Sequence, residues 1–333
     1  MREGCILGID TSNYKTSVAL VAEDGSVIRD MRTPLRVKQG ERGLRQSDAL
    51  FQHIENLPVL IDEAFKDGIA IKAVACSIRP RPVRGSYMPV FRAGEAIALS
   101  VSAAAGVPCL CFSHQEGHIE AVKGFSAMKD SRLFLACHFS GGTCEILKVK
   151  DVSEDMKKDA SAGKAETRIY SVDIIGGSKD ISFGQVIDRA GVASGLSFPS
   201  GEEADRLALS ADDPTRFLSP IKAENGWINL SGIDTQARRI IEGGMREDMK
   251  GPFFREIFDR IVSATVKMVS QASGKSGIRD IIMAVGVSSS VYMRERIRKA
   301  LKENGINTCF GSSGLSQDNA VGIALLGGRM IWR

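Results

Sequence analysis

The chain has 333 residues, 43% of them hydrophobic and 25% charged, which is typical of a globular protein with a sizeable core. A net charge of +4, from 44 basic and 40 acidic residues, neither requires nor excludes a nucleic-acid partner. No apolar run approaches the roughly 20 residues of a membrane helix, and the opening residues lack a signal-peptide pattern. Seven cysteines without zinc-type pairs fit a reducing compartment, so we expect a cytoplasmic protein with no membrane contact.

The first half of the chain predicts five strands and two helices. Three strand-like runs, CILGID, TSVALVAED and GSVIRDM, come first. Apolar residues at helical spacing then predict a helix over 44–65. A strand at AVACSI, a helix over 93–105 and a strand at VPCLCF complete this half.

The second half predicts a similar series. RLFLACHFS, TCEILKVKD and RIYSVDII are typical of strands, and the polar run 150–164 between the last two predicts an exposed hairpin extension. Helices over 183–195 and 202–209 precede an irregular insert that contains GWINLSG. A helix over 253–271, strand DIIMAVG, a helix over 293–303, strand INTCFG and a helix over 319–330 follow.

The repeated order of elements favours an internal duplication over two unrelated α/β domains. We expect an actin-like, ribonuclease H-like fold of the ASKHA class, an α/β fold with two lobes and a ligand cleft between them. Residues 1–112 with 312–333 are predicted to form the N-terminal lobe. Residues 113–311 are predicted to form the C-terminal lobe, with an insert around 212–250.

Two histidines in HQEGH suggest a metal between the lobes. His114 and His118 are four residues apart, so a helix would bring both imidazoles to one face, where they would bind one divalent cation. Asp318 begins the last predicted helix as either its N-cap or a third ligand. Cys109 and Cys111 face the same way on their strand and either approach this metal or pack in the core.

His138 and several glycine-containing turns are the other candidates for a role in binding. His138 interrupts an apolar run before a glycine turn and is either a buried residue bonded to a carbonyl group or part of the centre. IDTSNYKTS, FSGGT and FPSGEEAD place backbone amides and hydroxyls where they would hold phosphate or ribose. Asp188 and Asp205 lie near these turns and either bind ribose hydroxyls or sit on a helix surface.

These motifs together resemble the TsaD family, the tRNA threonylcarbamoyl transferases once described as O-sialoglycoprotein endopeptidases of peptidase family M22. The resemblance runs nearly end to end. ILGIDTSNYKTSVALV, VPCLCFSHQEGHIEA and HFSGGTCEIL are similar to the family's first strands, its HxxxH segment and its SGG turn. FGQVIDRAGVASGLSFPSGEEADRLA, INLSGIDTQ, VGVSSSVYMRERI and SQDNAVGIA follow in the family's order.

The resemblance implies a metal bound by His114, His118 and Asp318. His138 stands where the archaeal and eukaryotic branch has a metal-contacting tyrosine, so it is expected as a fourth ligand. Fe²⁺ or Zn²⁺ is the expected metal, and threonylcarbamoyl-AMP or ATP the expected adenylate nucleotide. The resemblance also implies a set of nucleotide contacts: Ser140, Gly141, Gly142, Thr143, Asp188, Gly201, Asp205 and Ser290.

The chain departs from the family pattern mainly around the nucleotide. Ser290 replaces an asparagine that faces adenine, and Glu202 replaces a proline. The acidic pair of the opening motif becomes Tyr14 and Lys15. A glycine-proline loop becomes RPRPVRG, whose arginines would bind tRNA phosphate or a ligand carboxylate, or remain solvated: Arg79, Arg81 and Arg84.

The resemblance implies an acyltransferase that moves a threonylcarbamoyl group from threonylcarbamoyl-AMP to N6 of adenosine in tRNA. No protein nucleophile is evident, so the transfer would be direct and metal-assisted. TsaB-like and TsaE-like proteins are the expected partners. Two alternatives remain: a divergent paralogue that uses another carbamoyl- or acyl-adenylate, and a non-catalytic scaffold partner. An endopeptidase is disfavoured because HQEGH lacks the HExxH order.

Overall fold

The computed structural model describes residues 4–37, 44–156, 168–284, 290–312, 314–315 and 318–332. Its strands are β1 Cys5–Thr11, β2 Lys15–Val21, β3 Val27–Pro34, β4 Ile71–Arg79, β5 Cys109–Ser113, β6 Leu133–Phe139, β7 Cys144–Asp151, β8 Tyr170–Ser178, β9 Ala223–Glu224, β10 Trp227–Ile228, β11 Asp280–Ala284 and β12 Asn307–Phe310. Its helices are α1 Gln46–Phe65, α2 Phe91–Ala105, α3 His114–Lys123, α4 Ser153–Met156, α5 Phe183–Ala193, α6 Gly201–Ser210, α7 Ser231–Glu242, α8 Lys250–Ser276, α9 Val291–Glu303 and α10 Val321–Ile331, with a 3-10 turn at Glu247–Met249.

Two sheets share one topology, which confirms the predicted duplication. The first sheet has the order β3-β2-β1-β4-β5, with β1 antiparallel to β2 and parallel to β4. The second has the corresponding order β8-β7-β6-β11-β12, with β6 antiparallel to β7 and parallel to β11. A repeated order with the same strand directions is the arrangement of an actin-like two-lobed α/β fold.

The central strands are apolar because helices or the other sheet cover both of their faces. Every residue of β1 is buried, and all but the first residue of β6 are buried. The edge strand β3 is exposed or half-buried throughout, which explains its mixed sequence VIRDMRTP. Strands buried on both faces are expected to be almost continuously hydrophobic, as these are.

Helices α3 and α10 lie at the centre of the molecule, between the two sheets. Apolar side chains from both sheets and both helices form one core there, including Ile6, Phe134, Ile119 and Ile323. The two helices cross at glycine: a Cβ added to Gly322 would lie 1.8 Å from a backbone oxygen of α3. Helices α1 and α2 cover the outer face of the first sheet, and helices α5 to α9 cover that of the second.

The insert differs from the prediction. The segment expected to be irregular contributes β9 and β10, which extend the second sheet beyond β8. Residues 157–164 of the predicted hairpin extension at 150–164 fall outside the described residues, and its described part contains the end of β7 followed by α4. The lobe boundaries at 112 and 312 stay a prediction. No helix in the described part of the chain is both long and apolar enough to span a bilayer.

Candidate metal centre and ligand cleft

The start of α3 is fixed by a capping box, and the first two turns of this helix carry the two histidines. Ser113 ends β5, and its Oγ accepts a hydrogen bond from the backbone N–H of Glu116 at 3.2 Å. The Glu116 carboxylate accepts in return from the Ser113 backbone N–H at 2.9 Å and from its hydroxyl at 2.8 Å. The helix therefore begins at His114, and His118 follows one turn later on the same face.

Three side chains from distant parts of the sequence converge beside this turn. The Nε2 atoms of His114 and His118 are 2.9 Å apart. The Oδ1 atom of Asp318, just before α10, lies 3.2 Å from Nε2 of His118 and 3.6 Å from Nε2 of His114. Adjacent ligands on a cation with bonds of about 2.0–2.2 Å stand roughly 2.9–3.5 Å apart, so this donor set fits one divalent metal.

Asp10 and Ser12, which belong to the IDTSNYKTS turn but were not expected at the metal, orient two of these ligands. The Oδ1 atom of Asp10 lies 2.8 Å from Nδ1 of His114, and the Ser12 hydroxyl donates to Oδ2 of Asp318 at 2.6 Å. Asp10 is fully buried, and its Oδ2 has no hydrogen-bond partner among the described residues. A buried carboxylate behind a ligating histidine is a common support of metal sites. Its only signal in the sequence is an acid that interrupts an apolar strand.

The centre is electrostatically prepared for a cation. Burial alone would lower the pKa of His114, but the carboxylates of Asp10 and Asp318 raise it to about 10. Burial and the neighbouring His114 lower the pKa of His118. Burial would raise the pKa of Asp318, yet the two histidines hold it well below its usual range. The two carboxylates thus place negative charge around the imidazole nitrogens, where a proton and a metal cation compete for binding.

His138 lies next to the centre but outside its group of converging donors. Its ring centroid is 5.5 Å from that of His118. The NH₂ group of Gln115 contacts two partners. It donates to Glu145 at 3.2 Å, and because an amide nitrogen can only donate, it also donates to Nδ1 of His138 at 3.1 Å. This network puts the imidazole proton on Nε2. Among the described residues, only His114, His118 and Asp318 form the histidine-carboxylate group with ligand atoms within 4.8 Å of one another.

Cys109 and Cys111 do not approach the histidines. Both pack with Cys76 against the outer core under α1 and α2, on the face of the first sheet that points away from α3. Of the two alternatives from the sequence, packing away from the metal is the one observed.

A cleft of about 430 Å³ is lined mainly by residues of the second lobe. Tyr14 from the β1–β2 turn lines it, together with Gly141 and Gly142 from the β6–β7 turn and Asp188 from α5. A Cβ at Gly141 would lie 3.4 Å from the Tyr14 hydroxyl, so the two turns nearly touch. The volume falls within the range of pockets that hold small ligands.

The other residues of the SGGT turn give it its shape. The Ser140 hydroxyl accepts from the N–H groups of Gly142 at 3.3 Å and Thr143 at 3.0 Å. Ser182, the N-cap of α5, donates its hydroxyl to the carbonyl of Gly141 at 2.5 Å. The N–H groups of Gly142 and Thr143 are therefore arranged around one hydroxyl oxygen, and the nucleotide contact expected of this turn stays a prediction.

Four other predicted nucleotide contacts serve helix ends in the structure. Asp188 accepts from the Ser200 N–H at 2.8 Å, directly before α6 begins at Gly201. Asp205 accepts from the Ser290 hydroxyl and from the first two N–H groups of α9, at 3.1 and 3.2 Å. Of these four, Asp188 is the one that lines the cleft. The loop 285–289 before Ser290 lies outside the described residues.

The three arginines of the RPRPVRG loop have different surroundings. Arg81 forms an ion pair of 2.8 Å with Glu145, next to the Gln115–His138 network. Arg79 lies close enough to the buried Glu116 that its charge acts to lower the pKa of that carboxyl, although burial raises the pKa overall. Arg84 is exposed. The structure thus brings Arg81 to the site and leaves Arg84 at the surface.

Comparison with known proteins agrees with this arrangement. The model of the TsaD family, tRNA N6-adenosine threonylcarbamoyltransferase, matches residues 36–325. A protein of that name from Thermus thermophilus is 28% identical, with 98% of this chain and 91% of the relative aligned. One from Thermotoga neapolitana is 27% identical, with 97% and 93% aligned.

Solved structures support the fold alone. Full-length HypF, in its phosphate- and nucleotide-bound form, is similar with a TM-score of 0.52 and 13% identity, covering 98% of this chain and 46% of HypF. A ROK family glucokinase from Streptomyces griseus has a TM-score of 0.52 and 12% identity, covering 97% and 99%. The family match spans most of the chain and includes the three converging ligands, so the chain belongs to the tRNA N6-adenosine threonylcarbamoyltransferase family.

Proposed function

We propose that this protein transfers a threonylcarbamoyl group from threonylcarbamoyl-AMP to N6 of adenosine in tRNA. The observation that carries the proposal is the convergence of His114, His118 and Asp318, whose ligand atoms lie within 4.8 Å of one another. Relatives that bear the name of this activity align over nearly their whole length. One divalent metal, Fe²⁺ or Zn²⁺, suits two imidazoles and a carboxylate.

The protein's part in the reaction is to bind and align. A bound cation would supply Lewis acidity and a template for the acyl group. Asp10 holds His114 in place, and Ser12 holds Asp318. The turns at Tyr14 and 140–143 would hold the adenylate in the cleft. N6 would then form a bond to the carbamoyl carbon while the bond from that carbon to the phosphate oxygen breaks, AMP would leave, and N6 would release one proton to solvent, so the rate would depend on positioning.

His138 remains our proposed fourth ligand. To bind a cation through Nε2, its proton would move to Nδ1, and the Gln115 amide would turn its oxygen toward that nitrogen. Burial and the neighbouring histidines hold the pKa of His138 well below its usual value, so the ring is neutral, as a ligand must be. A His138→Gln variant should weaken metal binding less than His118→Gln does.

We propose tRNA as the acceptor, with TsaB-like and TsaE-like proteins as partners. The exposed Arg84 lies in the same loop as Arg81, which pairs with Glu145, and is available to tRNA phosphate. ATP is the alternative occupant of the adenylate cleft. Glu116 caps α3 instead of facing the histidines, which supports setting aside the endopeptidase.

A paralogous carbamoyl- or acyltransferase is the second candidate. Two features favour this candidate: Arg81 pairs with Glu145 beside His138, and Asp205 and Ser290 cap a helix. Both features alter the surroundings of a nucleotide-linked acyl group. A non-catalytic scaffold is the third candidate. The buried, aligned ligands count against it, since a scaffold needs no convergent donors.

Reconstitution of the reaction tests the proposal. Purified protein with iron or zinc, the partner proteins, threonylcarbamoyl-AMP and unmodified tRNA should yield N6-threonylcarbamoyladenosine, detected by mass spectrometry of digested tRNA. His118→Ala should abolish the product, and Asp173→Ala, at an exposed carboxylate of β8, should not. No product from a protein that still binds metal and AMP would reject this activity. Thermal stabilisation by another carbamoyl-adenylate would then identify the paralogue.

A further inference from the structure

Three cysteines form a compact cluster on the outer face of the first sheet. Cys76 on β4 is in register with Cys111 on the neighbouring parallel strand β5, and Cys109 lies two residues earlier on β5, on the same face. The Sγ atoms of Cys76 and Cys111 are 4.0 Å apart, and all three sulfurs lie within 4.8 Å of one another.

The sulfur separations suit a metal better than a disulfide. Two thiolates on a tetrahedral cation with bonds of about 2.3 Å stand roughly 3.8 Å apart, close to the distance observed. A disulfide bond is about 2.05 Å long and needs a Cβ separation below the spacing of adjacent strands. A small inward movement of the side chains would bring all three sulfurs onto one ion.

The surroundings leave the cluster accessible from one side. Cys76 is completely buried, whereas Cys109 and Cys111 are partly exposed, so one side of the cluster opens to solvent. Hydrogen bonding with Cys111 is the main cause that raises the pKa of Cys109 to about 11, and the carboxylate of Glu95 on α2 adds to the increase. Neutral thiols near a carboxylate are unreactive toward oxidants but bind soft cations by releasing protons.

We propose that Cys76, Cys109 and Cys111 form a second metal site, for one thiophilic divalent cation such as Zn²⁺. Three S–H protons leave to solvent, three metal–sulfur bonds form, and water takes the fourth position. The site lies on the opposite face of the sheet from the histidine centre. It would tie β4 to β5, the strands that lead into the arginine loop and into α3.

Cobalt substitution tests the proposal in the intact protein. Only thiolate ligands give Co²⁺ a near-ultraviolet charge-transfer absorption, so the histidine centre does not contribute to this signal. We expect the absorption to saturate when one Co²⁺ per chain occupies the cysteines, which takes between one and two equivalents in total because the histidine centre also binds Co²⁺, and to disappear when Zn²⁺ is added. Cys111→Ser and Cys109→Ser, both at partly exposed positions, should each remove most of the absorption and weaken Zn²⁺ binding at this site at least tenfold.

Cys309→Ser is the matched control, because Cys309 is a partly exposed free thiol on another strand, β12. It should leave the spectrum unchanged. Absence of the absorption in the folded wild-type protein would overturn the proposal, as would an equal loss in Cys309→Ser. A Cys76–Cys111 disulfide found by mass spectrometry in protein purified with reductant and zinc would also overturn it.

Discussion

Asp10 is the residue on which the geometry of the metal centre depends most after the ligands. Its carboxylate accepts from Nδ1–H of His114 and so leaves Nε2 of that ring available to a metal. Asp10→Asn preserves the shape but removes the charge, so we expect metal affinity to fall about 10–100-fold with little change in fold. Competition with a chromophoric chelator measures this. Asp173→Asn, at an exposed position, should bind as the wild type does; equal affinities for all three proteins would contradict the role of Asp10.

Metal binding should strengthen as the pH rises. Without metal, burial lowers the pKa of His114, but Asp10 and Asp318 raise it to about 10 overall, and so the ring carries a second proton and a positive charge at neutral pH. A metal must displace that proton, so affinity should increase between about pH 6 and pH 8, by at most ~10-fold per pH unit for each proton released. Calorimetry in buffers of different ionisation enthalpy counts the protons. An affinity independent of pH, with no proton released, would show that His114 is not a ligand.

The sequence reveals some of these residues and conceals others for physical reasons. The i, i+4 spacing of His114 and His118 marks a shared helix face, so this pair is visible without a structure. Asp10 meets His114 only because β1 and α3 are brought together by the sheet and by α10. The helix caps at Asp205 and Ser290 are also long-range, which is why these residues were expected only at the nucleotide.

At the scale of elements, the contact between α3 and α10 positions the ligands. A Cβ on Gly322 would lie 1.8 Å from the carbonyl oxygen of Gly117, so no larger residue fits without moving one helix. Gly322→Ala should destabilise the protein by about 1–3 kcal/mol. It should also weaken metal binding, because His114 and His118 stand on one helix and Asp318 precedes the other.

Gly274→Ala is the control for this change. Gly274 lies in helix α8 with nothing within 4 Å of an added Cβ, so alanine there should stabilise the protein by roughly 0.5–1 kcal/mol and leave metal binding unchanged. Urea denaturation and chelator competition on both variants provide the comparison. If Gly322→Ala matched Gly274→Ala in both free energy of unfolding and metal affinity, the close crossing of α3 and α10 would not be what positions the ligands.

Long elements were predictable and short ones were not. Helices such as α1, α8 and α9 carry several turns of apolar periodicity, and the observed ends differ from the predicted ones by a few residues. Strands β9 and β10 contain two residues each, too few to show alternation. They form because the second sheet offers a free edge at β8, which is a property of the fold.

At the scale of the molecule, Arg329 joins the last helix to the second lobe. Its guanidinium donates to Glu120 of α3 at 3.1 Å and to the Tyr170 hydroxyl of β8 at 2.9 Å, and it also pairs with Asp151 of β7. All three charged side chains are at least 90% buried. Arg329→Ala would leave two buried carboxylates unpaired and should cost about 3–5 kcal/mol of unfolding free energy.

Arg246→Ala is the matched control for Arg329→Ala. Arg246 forms an ion pair with Asp248, but its side chain is 74% exposed, so its loss should alter stability by no more than about 0.5 kcal/mol. Chemical denaturation measures the free energy of unfolding of both variants. Similar small losses in the two variants would mean that the Arg329 cluster does not hold the lobes together.

The two-lobed architecture was predictable because its evidence is spread over the whole chain. The repeated order of strands and helices survives even though no residue-by-residue repeat is visible, since each lobe needs only the same pattern of buried strands. The return of α10 to the first sheet could not be derived from periodicity. It depends on the packing of small residues, such as Gly327 against Ile6 and Ala75, which a pattern of apolar residues does not specify.

The central claim is that three side chains distant in sequence hold one cation between the lobes. A crystal structure of the protein grown with Zn²⁺ or Fe²⁺, with anomalous scattering recorded at the metal edge, tests it most directly. We predict a peak about 2.0–2.2 Å from Nε2 of His114, Nε2 of His118 and a carboxylate oxygen of Asp318. Anomalous density confined to the cysteine cluster or the surface, with the two imidazoles pointing apart, would contradict the account.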